Sequence, residues 1–87
     1  MISAKLRTAV DAYLFYCPGC QEYHQVPRDG RWQFNGNLDS PTFTPSIVTG
    51  ASLGRTCHIF ITDGRIHYLG DCHHSLANTI VDMENED

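Results

Sequence analysis

The sequence predicts a small, mostly β domain built on one antiparallel sheet or a small barrel, with a small α+β arrangement as the alternative. Two observations predict this fold. Short segments of strand-like character are separated by turn residues, since the chain contains seven glycines and four prolines. In addition, residues 57–69 read as two strands joined by Asp63-Gly64, a pair that favours the positive φ angles of a type I′ hairpin turn.

The turn at Asp63-Gly64 fixes the register of its hairpin, because a two-residue turn places the flanking residues opposite each other. Thr62 then pairs with Arg65, and Phe60 pairs with His67. Side chains alternate between the two faces of a strand. We expect the core face to carry Cys57, Ile59, Ile61, Ile66 and Tyr68. The opposite, mixed face carries His58, Phe60, Thr62, Arg65, His67 and Leu69.

Elements in the first half of the chain are assigned from composition and turn residues. Residues 12–16 are rich in aromatic side chains and favour a strand, whereas residues 1–10 fit either a strand or a helix. Residues 22–26 and 31–35 are predicted to form a hairpin around the turn residues Pro27–Gly30.

The second half adds three shorter segments. Residues 41–48 contain two prolines, which lack the N–H donor that a strand ladder needs. We therefore expect an edge strand or an extended loop at that place. A helical turn around residues 73–78 and a closing strand at residues 79–83 complete the predicted domain.

Length and charge indicate one domain, residues 1–87, with an acidic tail at 84–87. The net charge is −4, and the six Lys and Arg residues are scattered, which disfavours nucleic-acid binding. The longest apolar run, residues 12–17, is far shorter than the roughly 20 residues of a membrane span. No secretory signal is recognised, so we expect a cytoplasmic protein without a membrane partner. Exposed strand edges make a homodimer an alternative to a monomer.

The strongest chemical signal is the cysteine content. Four cysteines in a chain without a secretory signal favour metal-bound thiols over disulfides. The Cys17-Pro-Gly-Cys20 spacing is typical of a zinc knuckle, in which both thiolates face one ion. A redox Cys-x-x-Cys pair normally lies between a strand and a helix, which is not the predicted setting here. Cys57 is preferred over His58 as a third ligand, because its side chain lies on the core face.

The fourth ligand has three candidates. Cys72 and His74 follow the open end of the hairpin and so lie near Cys57. His24 lies four residues after Cys20 and can fold back over the knuckle. Two other histidines, His67 and His73, are interpreted as solvated side chains.

An ordered string of motifs resembles a known family. The motifs are Cys17-Pro-Gly-Cys20 with His24, Trp32 and Phe34-Asn-Gly36, Pro41-Thr-Phe-Thr-Pro-Ser46, Cys57-His58, Asp63-Gly64 and Asp71-Cys-His-His74-Ser-Leu-Ala77. Together, over residues 15–83, they resemble an uncharacterised family of small Cys/His-rich phage and prophage proteins that often carries the label ammonia monooxygenase. The label does not suit this chain, which shows neither membrane segments nor a copper-type histidine cluster. The resemblance implies a phage-encoded cytoplasmic domain, favours His74 over Cys72 as a ligand and implies no known reaction.

The sequence therefore predicts a structural zinc site. Its ligands are Cys17, Cys20, Cys57 and His74, with His24 and Cys72 in reserve. The predicted function is binding rather than catalysis, by a module that acts on a host or phage protein, for example as an inhibitor of host defence. The exposed anchors of such a module would be Trp32, Phe34 and Phe43, unless these side chains belong to the core. The alternative is a metal-dependent hydrolase or nuclease that uses His58, Asp71 and His74.

Overall fold

The computed structural model describes residues 4–50 and 54–85, which form an all-β fold. The strands are β1 (Arg7–Thr8), β2 (Ala12–Cys17), β3 (Glu22–Pro27), β4 (Gln33–Phe34), β5 (Phe43–Thr49), β6 (Cys57–Thr62), β7 (Arg65–Tyr68) and β8 (Ile80–Asp82). They form two antiparallel sheets, one in the order β1-β2-β3 and one in the order β4-β5-β6-β7-β8. The predicted mostly β, antiparallel fold is confirmed, and the strands divide into two sheets.

The smaller sheet is centred on a hairpin that the knuckle closes. Its strands pair from Ala12 opposite Pro27 to Cys17 opposite Glu22. The predicted hairpin between residues 22–26 and 31–35 is therefore wrong, because β3 pairs with β2 and β4 belongs to the other sheet. After the knuckle turn, β3 runs back along the aromatic-rich β2. Ring contacts between the two strands favour this pairing.

The β6–β7 hairpin has the predicted register. Thr62 lies opposite Arg65 and Phe60 lies opposite His67. The predicted core face is also confirmed, because each of its side chains has 0% exposure: Cys57, Ile59, Ile61, Ile66 and Tyr68. The other face of this hairpin is left for polar and partly exposed side chains.

Strand β5 contains a bulge. Strand β5 lies between β4 and β6 in the larger sheet, so the prediction of an edge strand or loop for residues 41–48 is wrong. Phe43 pairs with Ile61 and Ile47 pairs with Ile59, so three residues of β5, 44–46, span the stretch that Phe60 alone spans on β6. A proline is accommodated in such a bulge, since its position carries no ladder hydrogen bond.

Both sheets contribute to one core. Phe15 and Val26 of the smaller sheet and the isoleucines of the larger sheet belong to the same buried cluster. Phe43 is a buried core residue, and Trp32 and Phe34 are partly buried side chains that pack against the cluster, so none of the three is a fully exposed anchor. The predicted helical turn at 73–78 is a series of non-helical turns. Among the described residues, no helix has the length and apolarity needed to cross a membrane.

Candidate active site and metal centre

Strand β6 separates two clusters of polar and ligand-bearing side chains. Its side chains alternate between the core and the outer face of the larger sheet. Cys57 points inward and is fully buried, whereas His58 points outward and is partly exposed. Each of these two residues is the centre of one cluster.

The outer cluster is a chain of hydrogen bonds through one imidazole. His58 Nε2 lies 2.9 Å from the Ser46 hydroxyl oxygen, and His58 Nδ1 lies 3.0 Å from Asp71 Oδ2. A carboxylate can only accept at Nδ1, so it selects the tautomer that carries the proton there. Nε2 is then left to accept the hydrogen bond that the Ser46 hydroxyl donates. The order of the groups is Ser–His–Asp, as in serine proteases.

The β5 bulge brings Ser46 to this cluster. In the pairing that resumes after the bulge, Val48 lies opposite His58, two residues beyond Ser46. The extra residues let the chain bend so that the Ser46 hydroxyl reaches the imidazole. The indole N–H of Trp32 donates to the Ser46 carbonyl over 3.3 Å and ties the bulge to the preceding loop.

A turn after β7 brings Asp71 to the same place. The Cys72 N–H donates to the Leu69 carbonyl over 3.2 Å, which closes a four-residue turn. Asp71 is the third residue of this turn, and its side chain is 59% exposed, whereas that of His58 is 26% exposed. The His58–Asp71 hydrogen bond is therefore open to water on the Asp71 side.

The inner cluster consists of cysteines and histidines. Ligand atoms of Cys17, Cys20, His24 and Cys57 all lie within 4.8 Å of one another. The Cys17 and Cys57 sulfurs are 3.9 Å apart, close to the edge of about 3.8 Å expected between thiolates of tetrahedral zinc. Because the donor set is sulfur and nitrogen, the cluster suits a soft or borderline ion such as zinc. These side chains are positioned to hold a metal ion.

The fourth-ligand candidates differ in their contacts. His24 is buried, and its Nε2 lies 3.4 Å from the Thr49 hydroxyl, a contact that leaves Nδ1 as a ligand atom. His74 Nε2 lies 3.5 Å from the Cys57 sulfur, but its Nδ1 accepts a hydrogen bond from the Leu76 N–H. In a neutral imidazole, that acceptor role places the proton on Nε2. His24 therefore lies among the three cysteines, whereas the His74 nitrogen that faces Cys57 would have to lose its proton before it could bind a metal.

The thiols of the inner cluster influence one another. The hydrogen bond that the Cys57 thiol donates lowers the pKa of Cys17 to about 3, and the same bond raises the pKa of Cys57. Burial raises the pKa of Cys20 to about 11. Without a cation, the pair of Cys17 and Cys57 thus favours one thiolate that accepts the hydrogen of the other thiol. A divalent cation would favour the thiolate form of all its cysteine ligands.

The surroundings of the knuckle are tightly packed. A Cβ atom added at Gly19 would lie 2.3 Å from the His74 ring, so only glycine leaves space for this imidazole. The Tyr68 hydroxyl lies 3.2 Å from the Cys17 sulfur and accepts from the Gly19 N–H over 3.4 Å. Burial raises the pKa of Tyr68, so its hydroxyl remains a donor to sulfur. Such a donor stabilises a metal-bound thiolate.

The structure divides the residues singled out in the sequence between the two clusters. His58 and Asp71 lie together, but His74 lies on the inner side with Cys57. Cys72 forms a group with Cys57 and His74, and Cys20 forms another with His73 and His74. Sequence reasoning missed Ser46. The signal available in the sequence was the proline that precedes it. A proline inside a strand often marks a bulge, and bulges often occur next to active sites.

The sequence of the chain matches that of a known protein family. Residues 1–69 match a family described as "Bacterial ubiquitination-like system serine protease (BubE)". The matched region contains Ser46 and His58, and Asp71 follows it. The small family expected from the sequence is consistent with this match, and its phage origin and Cys/His pattern stay predictions. No curated protein and no solved structure shows significant similarity to the chain.

Proposed function

The chain belongs to the BubE family of bacterial ubiquitination-like system serine proteases, and from this premise we propose that it is a serine hydrolase that cleaves peptide bonds. The nucleophile is Ser46, the general base is His58 and the orienting carboxylate is Asp71. The observation that carries the proposal is the pair of contacts, 2.9 Å and 3.0 Å, on the two nitrogens of one imidazole.

The geometry supports acyl transfer in two steps. The Ser46 oxygen attacks the carbonyl carbon of the scissile bond while His58 Nε2 takes the hydroxyl proton. His58 then donates this proton to the leaving amine, and an acyl group remains on Ser46. Water hydrolyses the acyl-enzyme by the same route, again with His58 as base. Asp71 stabilises the imidazolium that forms in each step.

We further propose that the inner cluster holds a zinc ion, which would stabilise the scaffold of this site. We assign three ligands to Cys17, Cys20 and Cys57, and the fourth to His24, with His74 as the alternative. Zinc bound by these residues would supply structural cross-linking, because four protein ligands would leave no open coordination position. In a domain of this size, the free energy of zinc binding, about 10–16 kcal/mol, is comparable to the entire stability of a typical protein.

A protein partner remains part of the proposal. A protease binds a protein in order to cleave it, so the protein-binding role expected from the sequence becomes substrate binding. The family description supports a substrate within a ubiquitination-like system. Phage origin and a cytoplasmic location stay predictions.

The test is covalent labelling, since it needs no knowledge of the substrate. An alkyl fluorophosphonate phosphonylates an activated serine with loss of fluoride, and intact mass spectrometry measures the adduct. We expect labelling of the wild-type protein and its loss in Ser46→Ala and His58→Ala. Ser75→Ala, which removes another exposed serine hydroxyl, is the matched control and should label normally.

The same experiment separates this proposal from the metal-dependent hydrolase predicted as the alternative. A hydrolase with a metal-bound water has no activated serine and would not form the Ser46 adduct. An unlabelled, folded and zinc-loaded wild-type protein would therefore overturn the proposed function.

A further inference from the structure

The backbone of His58 lies where the β6–β7 ladder stops. Strand β7 ends at Tyr68, so Leu69 is the next residue that could pair with His58. Half of that pair forms, because the Leu69 N–H donates to the His58 carbonyl over 3.0 Å. The other half is lost, because the Leu69 carbonyl accepts from the Cys72 N–H instead. The His58 N–H therefore needs another acceptor.

The Cys72 thiol supplies it. The His58 N–H donates to the Cys72 sulfur over 3.3 Å, and the Cys72 S–H donates back to the His58 carbonyl over 3.2 Å. A thiol can fill both roles, since its sulfur accepts and its hydrogen donates. One side chain thus holds both backbone polar groups of the general base.

We propose that Cys72 is a positioning residue of the triad, which holds the His58 backbone so that the imidazole stays between Ser46 and Asp71. The inference rests on the proposed function. Cys72 directly follows Asp71 in the turn that carries the carboxylate, so the same residue joins the base to its orienting group. A displacement of either by a few tenths of an ångström would stretch contacts of about 3 Å beyond the usual hydrogen-bond range of about 2.7–3.2 Å.

This role differs from metal ligation, although Cys72 lies near Cys57 and His74. A zinc ligand must be a thiolate, whereas the Cys72 thiol donates its hydrogen to a carbonyl. The two roles respond differently to substitution. Serine retains a donor and an acceptor at this position, while alanine and valine retain neither.

The experiment compares Cys72→Ala and Cys72→Ser for fluorophosphonate labelling, zinc content and hydrogen exchange of the His58 amide. We expect Cys72→Ala to label about tenfold to 100-fold more slowly, with one zinc retained and with faster amide exchange. Cys72→Ser should restore labelling to within a few-fold of wild type and restore amide protection. Cys72→Val replaces Cys72→Ala if alanine prevents folding, because it preserves apolar volume without the hydrogen bonds.

Two results would overturn this role. Zinc loss from both Cys72→Ala and Cys72→Ser would make Cys72 a ligand, and unchanged labelling in Cys72→Ala would make its contacts with His58 irrelevant to catalysis. Absence of labelling in the wild-type protein would instead remove the proposed function. The exchange measurement would then still decide whether Cys72 holds the His58 backbone.

Discussion

Cys57 and His58 are consecutive residues of β6 whose side chains serve opposite faces of one sheet. The Cys57 sulfur lies 3.9 Å from that of Cys17 in the inner cluster, while the His58 imidazole contacts Ser46 and Asp71. The alternation of a β-strand produces this division, since neighbouring side chains point to opposite sides. A shift of β6 at the inner cluster would therefore displace the His58 imidazole directly.

The first prediction concerns metal removal. Chelation should unfold the protein, because about 10–16 kcal/mol of zinc binding exceeds what a core of this size supplies alone. Labelling by fluorophosphonate should disappear together with the native fluorescence of Trp32, the single tryptophan, and both should return when zinc is added. Loss of labelling from a chelated protein that stays folded would instead indicate a catalytic metal.

Asp71→Asn should reduce catalysis without reducing binding. In serine proteases, replacement of the buried triad aspartate lowers kcat by about 10⁴-fold. The Asp71 side chain is 59% exposed, so water replaces part of its effect and we expect a loss of about 10²-fold. The maximal rate of fluorophosphonate labelling measures the effect on catalysis, and the reagent concentration that gives half of this rate measures the effect on binding. Asp82→Asn, which alters an ion pair with Arg65 on the same sheet, is the control and should leave both unchanged.

Gly19→Ala should weaken the metal site by crowding. The new Cβ would overlap the His74 ring at 2.3 Å, a contact that only movement of the ring or of the knuckle can relieve. We expect a loss of about 1–3 kcal/mol in the free energy of unfolding, as for other overpacked sites. Gly70→Ala is the matched control, because its Cβ would meet only the end of the Asn78 side chain at 3.0 Å. Equal thermal stability of the two variants would show that His74 does not occupy the knuckle.

Tyr68→Phe tests the hydrogen bond to the Cys17 sulfur. The variant keeps the ring in the core but removes the hydroxyl that contacts Cys17 and Gly19. We expect zinc affinity to fall by about 10-fold to 100-fold, the usual effect of losing a group that supports a ligand. Competition with a chromogenic chelator measures it. Tyr16→Phe should keep wild-type affinity, and an equal loss in that variant would attribute the effect to general instability.

Local patterns predicted much of the larger sheet. Asp63-Gly64 fixed the register of one hairpin because a two-residue turn allows little variation, and burial of one face followed from strict alternation. The short strands were harder, because β4 pairs through only Gln33 and Phe34, too few residues to leave a periodic signal. Contacts between residues distant in sequence decide which strand each short strand pairs with.

The candidate active site was only partly visible for the same reason. The sequence marked His58 and Asp71 as chemically active residues, but it gave no reason to place a serine beside them. Ser46 reaches His58 through a bulge, and the position of a bulge depends on the partner strand. The cysteines were easier to recognise, because the spacing of Cys17 and Cys20 is itself a local motif.

The most direct test of the account is to locate the fluorophosphonate adduct in the zinc-loaded wild-type protein by peptide mapping. We predict one phosphonyl group per chain, on Ser46, with no adduct after His58→Ala. An adduct on another residue, or none at all on the folded protein, would contradict the assignment of Ser46, His58 and Asp71 as a catalytic triad.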